Sequence, residues 1–119
     1  MEVKVGHVSW FEVTGRDLDA LTAFYSGLFG WALERLPGHP YAATPRDWDG
    51  LPGGVGQAPA GPGWTTFYVK VDEVASAIER AEKHGGRVLV PPTALPDGVT
   101  IAVIADPEGH PVGLSADPR

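Results

Sequence analysis

Trp10, Glu12, Thr66, Tyr68 and Lys70 are the residues of this chain whose types and spacing suit the handling of a small organic molecule. They lie in two segments, Val8-Ser9-Trp10-Phe11-Glu12-Val13 and Thr66-Phe67-Tyr68-Val69-Lys70-Val71, that alternate as half-buried strands do. Alternation puts Val8, Trp10 and Glu12 on one face of the first strand, opposite Ser9, Phe11 and Val13. In the second it groups Thr66, Tyr68 and Lys70 opposite Phe67, Val69 and Val71. Phe11, Val13, Val69 and Val71 suit a side covered by helices, which leaves an aromatic and polar set on the other side. There the rings offer apolar area, and Glu12 could orient a polar group or, with its pKa raised by burial, act as a base. Glu12 and Lys70 could instead pair with each other across adjacent strands or stay solvated. Trp48 and Trp64, beside Pro/Gly-rich stretches, either lid a ligand or plug the open side of the core.

Other chemistries are excluded by composition. Cysteine is absent, which removes disulfides, thiolate zinc sites and cysteine nucleophiles together. There is no Gly-x-Ser-x-Gly elbow, Walker glycine loop or His-Glu-x-x-His helix, and Gly54-Val55-Gly56 lacks the third glycine of a dinucleotide fingerprint. His39, in Pro37-Gly38-His39-Pro40, reads as a turn residue, and His84 as a helix C-terminal residue. With 9 Lys+Arg against 15 Asp+Glu the formal charge is -6, so no basic face is expected for nucleic acid or anionic lipid. No run of 18 apolar residues occurs and Met1 to Trp10 carries no leader pattern, so a soluble, cytoplasmic protein without nucleic-acid or membrane partners is expected.

The elements that position these residues repeat. In the first half, Asp17 can cap a helix whose apolar residues Leu18, Leu21, Tyr25 and Leu28 recur at spacings of three and four, and Gly30 stops it. In the second, Asp72 caps, Val74, Ala77, Ile78 and Ala81 form the stripe, and Gly85-Gly86 stops it. Three short strand candidates follow each helix: Trp31 to Leu36, Tyr41 to Thr44 and Gly53 to Gln57, then Arg87 to Val90, Thr100 to Ala105 and Pro111 to Ser115. The chain thus reads βαβββ twice, residues 1–57 and 64–119, joined by Ala58-Pro59-Ala60-Gly61-Pro62-Gly63. Neither half could bury both faces of its sheet alone, so the 119 residues are expected to form a single α+β domain.

Asp17-Leu18, Ala23-Phe24-Tyr25, Leu28-Phe29-Gly30-Trp31, Val71-Asp72-Glu73-Val74, Gly85-Gly86 and Asp106-Pro107-Glu108-Gly109 with Leu114 occur in an order that resembles the vicinal oxygen chelate (VOC) superfamily, the glyoxalase, bleomycin-resistance and dioxygenase group. The resemblance covers nearly the whole chain. It implies an open, curved mixed sheet around a pocket between the two modules, helices outside, and a homodimer.

Enzymes of this superfamily draw two metal ligands from each module, so the resemblance also marks four positions. Carried over, these are Val8, Gln57, Thr66 and Gly113, a set that cannot hold a divalent ion. His7 is one residue from Val8 and faces the opposite way unless a bulge intervenes; His110 is three from Gly113. The expectation is therefore a protein without metal or cofactor that binds a small organic molecule, an antibiotic or metabolite, through Trp10, Glu12, Thr66, Tyr68, Lys70, Trp48 and Trp64. The alternative is a divergent lyase, isomerase or dioxygenase that uses a metal at a shifted His7 or His110 site, or Glu12 without metal. Whether a reaction is catalysed stays open on sequence.

Overall fold

A computed structural model describes residues 5–118. Its element order is β1 (Val8–Gly15), α1 (Leu18–Phe29), β2 (Glu34–Arg35), β3 (Tyr41–Ala43), β4 (Gly53–Gln57), β5 (Thr65–Lys70), α2 (Val74–Lys83), β6 (Arg87–Ala94), β7 (Thr100–Ala105) and β8 (Pro111–Ala116). This is βαβββ twice, an α+β fold. Each repeat has the same pairing: its first strand runs parallel to its last, β1 with β4 and β5 with β8, and the two middle strands continue antiparallel. The orders are β2-β3-β4-β1 and β5-β8-β7-β6.

The polypeptide forms two compact units, Trp10–Thr65 and residues 66–118 together with 5–9. The division falls within β1 and at the start of β5, rather than in the Pro/Gly linker. Backbone bonds account for it: Gly6 N–H donates to the Lys70 carbonyl at 2.7 Å and Lys70 N–H to the His7 carbonyl at 2.9 Å, so the segment entering β1 is held by β5.

In the Trp10–Thr65 unit the Asp17 side chain accepts from Ala20 N–H, a cap that stabilises a helix by about 1 kcal/mol. Gly30 ends α1 in the left-handed region at φ 72°, where a Cβ would be strained. The expected stripe is only half covered: Leu18 is buried, Leu21 and Tyr25 are half-buried, and Leu28 is exposed, as are Phe24 and Phe29. Tyr25 and Phe29 both stack on Trp31, which leans on Phe11, so Phe11 faces the helix as alternation requires.

The other unit has a tighter centre. Val74 and Ala77 of α2 pack with Ala102, Leu114 and Ala116, and Val71, Ile78 and Ile104 extend the cluster. The α2 cap lies one residue later than expected, at Glu73, which makes no side-chain cap bond but accepts from the Ser76 hydroxyl at 3.0 Å. Strand β6 runs four residues past Val90, through Pro91 and Pro92, with register shifts at Val88/Val90 and Val90/Thr93. Prolines are tolerated there because β6 is an edge strand and the shifts remove the need for their missing N–H groups. Among the described residues no helix is long and apolar enough to cross a membrane.

Candidate functional site

In the Trp10–Thr65 unit, Trp10 and Glu12 leave β1 on the face opposite Phe11, and the structure ties them together through a residue that sequence reasoning missed. The Trp10 Nε1–H donates to the Tyr41 hydroxyl at 2.9 Å, and that hydroxyl donates to Glu12 Oε2 at 3.0 Å. Tyr41 stands on β3, two strands away from β1, and reaches across because β4 is nearly bare. Gly54 and Gly56 lie between them, and a Cβ at either would sit 2.2 Å or 2.8 Å from atoms of the Tyr41 ring. The repeated glycines of Gly53-Gly54-Val55-Gly56 were the available signal: a strand with side chains missing on one face is one over which another side chain can lie.

Beside this set is a cleft of about 470 Å³ lined by Trp10, Trp48, Leu36, Ala43, Pro45 and Pro52, with Glu34, Thr44 and Arg46 as its polar side chains. Trp48 is fixed by its indole N–H, which donates to the Leu51 carbonyl at 3.0 Å, and by an edge contact with Trp31. Trp10 and Trp48 therefore share the cleft, and Glu12 is joined to Trp10 through Tyr41.

Trp64 is not. It pairs with the end of β1, its N–H donating to the Thr14 hydroxyl and its carbonyl accepting from Thr14 N–H. It lines a separate cleft of about 590 Å³ against α1, with Leu21, Phe24 and Tyr25. Its indole nitrogen is buried without a hydrogen-bond partner among the described residues, so it offers no donor to a ligand in that cleft.

Thr66, Tyr68 and Lys70 share one face of β5 as expected, and each has a partner within its own unit. The Thr66 hydroxyl is buried and donates to the Pro111 carbonyl at 2.6 Å. The Tyr68 ring is buried over Gly113, where a Cβ would come within 2.3 Å of it. Lys70 Nζ pairs with Asp117 at 2.6 Å.

The four positions at which the superfamily places metal ligands do not fit a metal ion. Val8 has no donor atom. The Gln57 amide is spent at the start of α1, where its oxygen accepts from Leu18 N–H and its nitrogen donates to the Arg16 carbonyl. Thr66 is committed to Pro111, and Gly113 has no side chain. His7 is exposed, and it lies just before β1, where Gly6 at φ 91° and His7 both oppose Lys70 in the manner of a bulge: Gly6 N–H donates to the Lys70 carbonyl and Lys70 N–H to the His7 carbonyl. His110 is turned to Asp106, ring Nδ1 to Oδ2 at 3.0 Å, in an exposed turn. The His110 backbone N–H first, then the His110 ring and the Glu108 N–H, holds the Asp106 carboxyl below the usual aspartate range. That pairing closes a turn.

Comparison with known proteins agrees with this architecture. The glyoxalase-like domain family matches residues 10–115. The chain is 28% identical to "Putative glyoxylase CFP32" of Mycobacterium tuberculosis, over 95% of this chain and 46% of that protein. It is 29% identical to "Anthracycline biosynthesis protein DnrV" of Streptomyces peucetius, over 87% of this chain and 44% of that protein. The chain thus spans about half the length of the curated relatives it matches. Among solved structures, a glyoxalase/bleomycin resistance protein/dioxygenase superfamily member from Vibrio splendidus 12B01 covers 98% of this chain and 100% of its own, at TM-score 0.64 and 14% identity. Methylmalonyl-CoA epimerase from Mycobacterium tuberculosis covers 100% of this chain and 94% of its own, at TM-score 0.64 and 15% identity. The two βαβββ repeats and the match over residues 10–115 together place the chain in the glyoxalase-like domain family of the VOC superfamily.

Proposed function

We propose that the chain binds a small organic molecule, an antibiotic or metabolite with a flat apolar portion, on the face carrying Trp10, Glu12 and Trp48, and that it does so without a metal ion. The observation that carries this reading is the hydrogen-bonded Trp10, Tyr41 and Glu12 set beside a cleft that exposes two indoles. An indole face gives a flat ligand a large apolar contact, and the fixed polar groups give it orientation. The side chains at the superfamily's ligand positions support metal independence. Two matched Streptomyces proteins are named for anthracycline biosynthesis, which supports a small organic ligand. In this reading Tyr68, Thr66 and Lys70 hold the second module together rather than contact the ligand, and Trp64 belongs to the α1 side.

The same reading has the protein work as a cytoplasmic homodimer, with the exposed Phe24, Leu28 and Phe29 of α1 covered by a second copy.

The test is a thermal-shift screen of aromatic small molecules against protein stripped of metal, with affinities of hits measured by calorimetry. Trp10→Ala is expected to weaken binding by about 1 to 3 kcal/mol, the range for a large buried contact, with the fold intact by circular dichroism. An unchanged affinity in that variant removes Trp10 from the site.

A further inference from the structure

The neutral hydrogen-bonding groups around the cleft beside Trp10 are mostly committed to the protein itself. The Trp10 indole N–H donates to the Tyr41 hydroxyl at 2.9 Å and that of Trp48 to the Leu51 carbonyl at 3.0 Å, so both indoles offer a ligand their rings and no hydrogen. Pro45 and Pro52 have no N–H to give, and their carbonyls already accept from Trp48 N–H and Phe11 N–H. Thr44 is different. Its backbone N–H donates to the Gly53 carbonyl at 2.9 Å and its hydroxyl oxygen accepts from Gly53 N–H at 3.2 Å, but the hydroxyl hydrogen meets no acceptor among the described residues. Resting on the reading of this face as a ligand site, we propose that the cleft takes a flat, uncharged ring compound bearing a ring carbonyl, and that the Thr44 hydroxyl is the donor that determines this specificity.

Thr66 is the useful contrast. Its hydroxyl is buried and spends its hydrogen on the Pro111 carbonyl at 2.6 Å, which ties β5 to β8 and leaves nothing for a ligand. Thr44 is half-buried and lines the cleft, so its hydrogen is left for water or for a bound molecule. A ligand oxygen that displaces the water keeps that bond, whereas a hydrocarbon of the same shape leaves the donor unpaired in a partly desolvated place. Charge does not compete with this preference. Glu34 and Arg46, the charged side chains of the cleft, are of opposite sign and both exposed, so water screens each and neither a cation nor an anion is favoured. The two indole faces hold a ring, and Thr44 decides which ring compounds are held.

Probes of one ring system test this at pH 7 by NMR titration, with the assigned Trp10 and Trp48 Hε1 signals as local reporters: 1-indanone, the hydrocarbon indane, the cation 1-aminoindane and the anion indane-1-carboxylate. Ketone and hydrocarbon also differ in hydration, so the quantity read is the ratio of their affinities, compared between variants. Thr44→Val should lower the indanone-to-indane ratio about three- to tenfold, the scale of one neutral hydrogen bond, and Thr44→Ser should keep it. Should Thr44→Val disturb the fold by leaving Gly53 N–H unpaired, the wild type still decides: bound 1-indanone should show nuclear Overhauser contacts to the Thr44 methyl group. A ratio that Thr44→Val leaves unchanged, a ratio that Thr44→Ser also loses, or absence of the Thr44 contacts overturns the inference and leaves the aromatic-ligand reading standing. Tighter binding of either ion than of 1-indanone overturns the preference for an uncharged ligand. Binding of none of the four at Trp10 or Trp48 overturns the reading of the face and the inference with it.

Discussion

The two modules share a topology strand for strand and use it differently. Around α2, the sheet face is packed by Val74, Ala77, Ala102, Leu114 and Ala116, and on the other face Tyr68 is pressed onto Gly113 and Lys70 is paired with Asp117. Around α1, the helix leaves Phe24, Leu28 and Phe29 exposed, and the opposite face carries a tyrosine that spans two glycines to bind a tryptophan and a glutamate beside an open cleft. In both modules a tyrosine ring occupies the space of a missing Cβ. In the second the ring is buried over Gly113; in the first it is half-buried over Gly54 and Gly56, and its hydroxyl donates to a carboxylate. One topology therefore carries a tightly packed centre around α2 and exposed apolar side chains around α1, as one fold can carry different surfaces.

The largest expected effect that would sharpen this contrast is Leu114→Ala. It deletes a buried side chain at 5% exposure, and should cost about 2 to 5 kcal/mol in urea unfolding. A loss near zero would mean that the cluster around α2 is not the better-packed centre. Next come the two glycine beds. Gly113→Ala forces a Cβ into the buried Tyr68 ring and should cost about 1 to 3 kcal/mol. Gly54→Ala should cost less, because Tyr41 is only half-buried and can swing away, while the Trp10 indole hydrogen bond is lost. Equal stability losses, with the Trp10 indole N–H signal unchanged in NMR, would erase the difference between the two glycine beds.

Smaller effects are expected on α1. Leu28→Ala, at a position 59% exposed, should change monomer stability by no more than about 0.5 kcal/mol yet weaken self-association in sedimentation. A monomeric wild type across micromolar concentrations would argue against a second copy on this helix. The smallest is the turn at Asp106. Its folded carboxyl sits below the unfolded-state value, held there chiefly by the His110 N–H, so its stabilising contribution is present at neutral pH and lost as pH falls through the lowered folded value. Asp106→Asn should flatten that acid limb of stability, read from unfolding midpoints across pH 2 to 5 on the usual aspartate scale. An unaltered acid limb would remove Asp106 from the pH dependence.

Much of the fold was legible because it rests on local signals. Asp17, the stripe from Leu18 and Gly30 define α1 within a single window, and strict alternation places Trp10 and Glu12 opposite Phe11. What depends on distant partners was not. Tyr41 lies 29 residues from Glu12, and nothing in its own segment shows that its ring crosses β4. Trp48 and Trp64 look alike in sequence, but one opens onto the cleft beside Trp10 and the other is tied to Thr14 under α1, a choice made by strand pairing. Pro91 and Pro92 read as a strand end, and only the register shifts along an edge strand let β6 continue through them. The Asp72 cap slid to Glu73 because either residue can adopt the extended conformation that precedes a helix.

The most direct measurement follows the assigned indole Nε1–H signals of Trp10, Trp31, Trp48 and Trp64 while 1-indanone is titrated into protein freed of metal by chelation. The expected result is saturable shifts at Trp10 and Trp48 with Trp64 unmoved, which would locate a metal-independent ligand site on the first module. Saturation at Trp64 alone, or none until a divalent ion is restored, would contradict it.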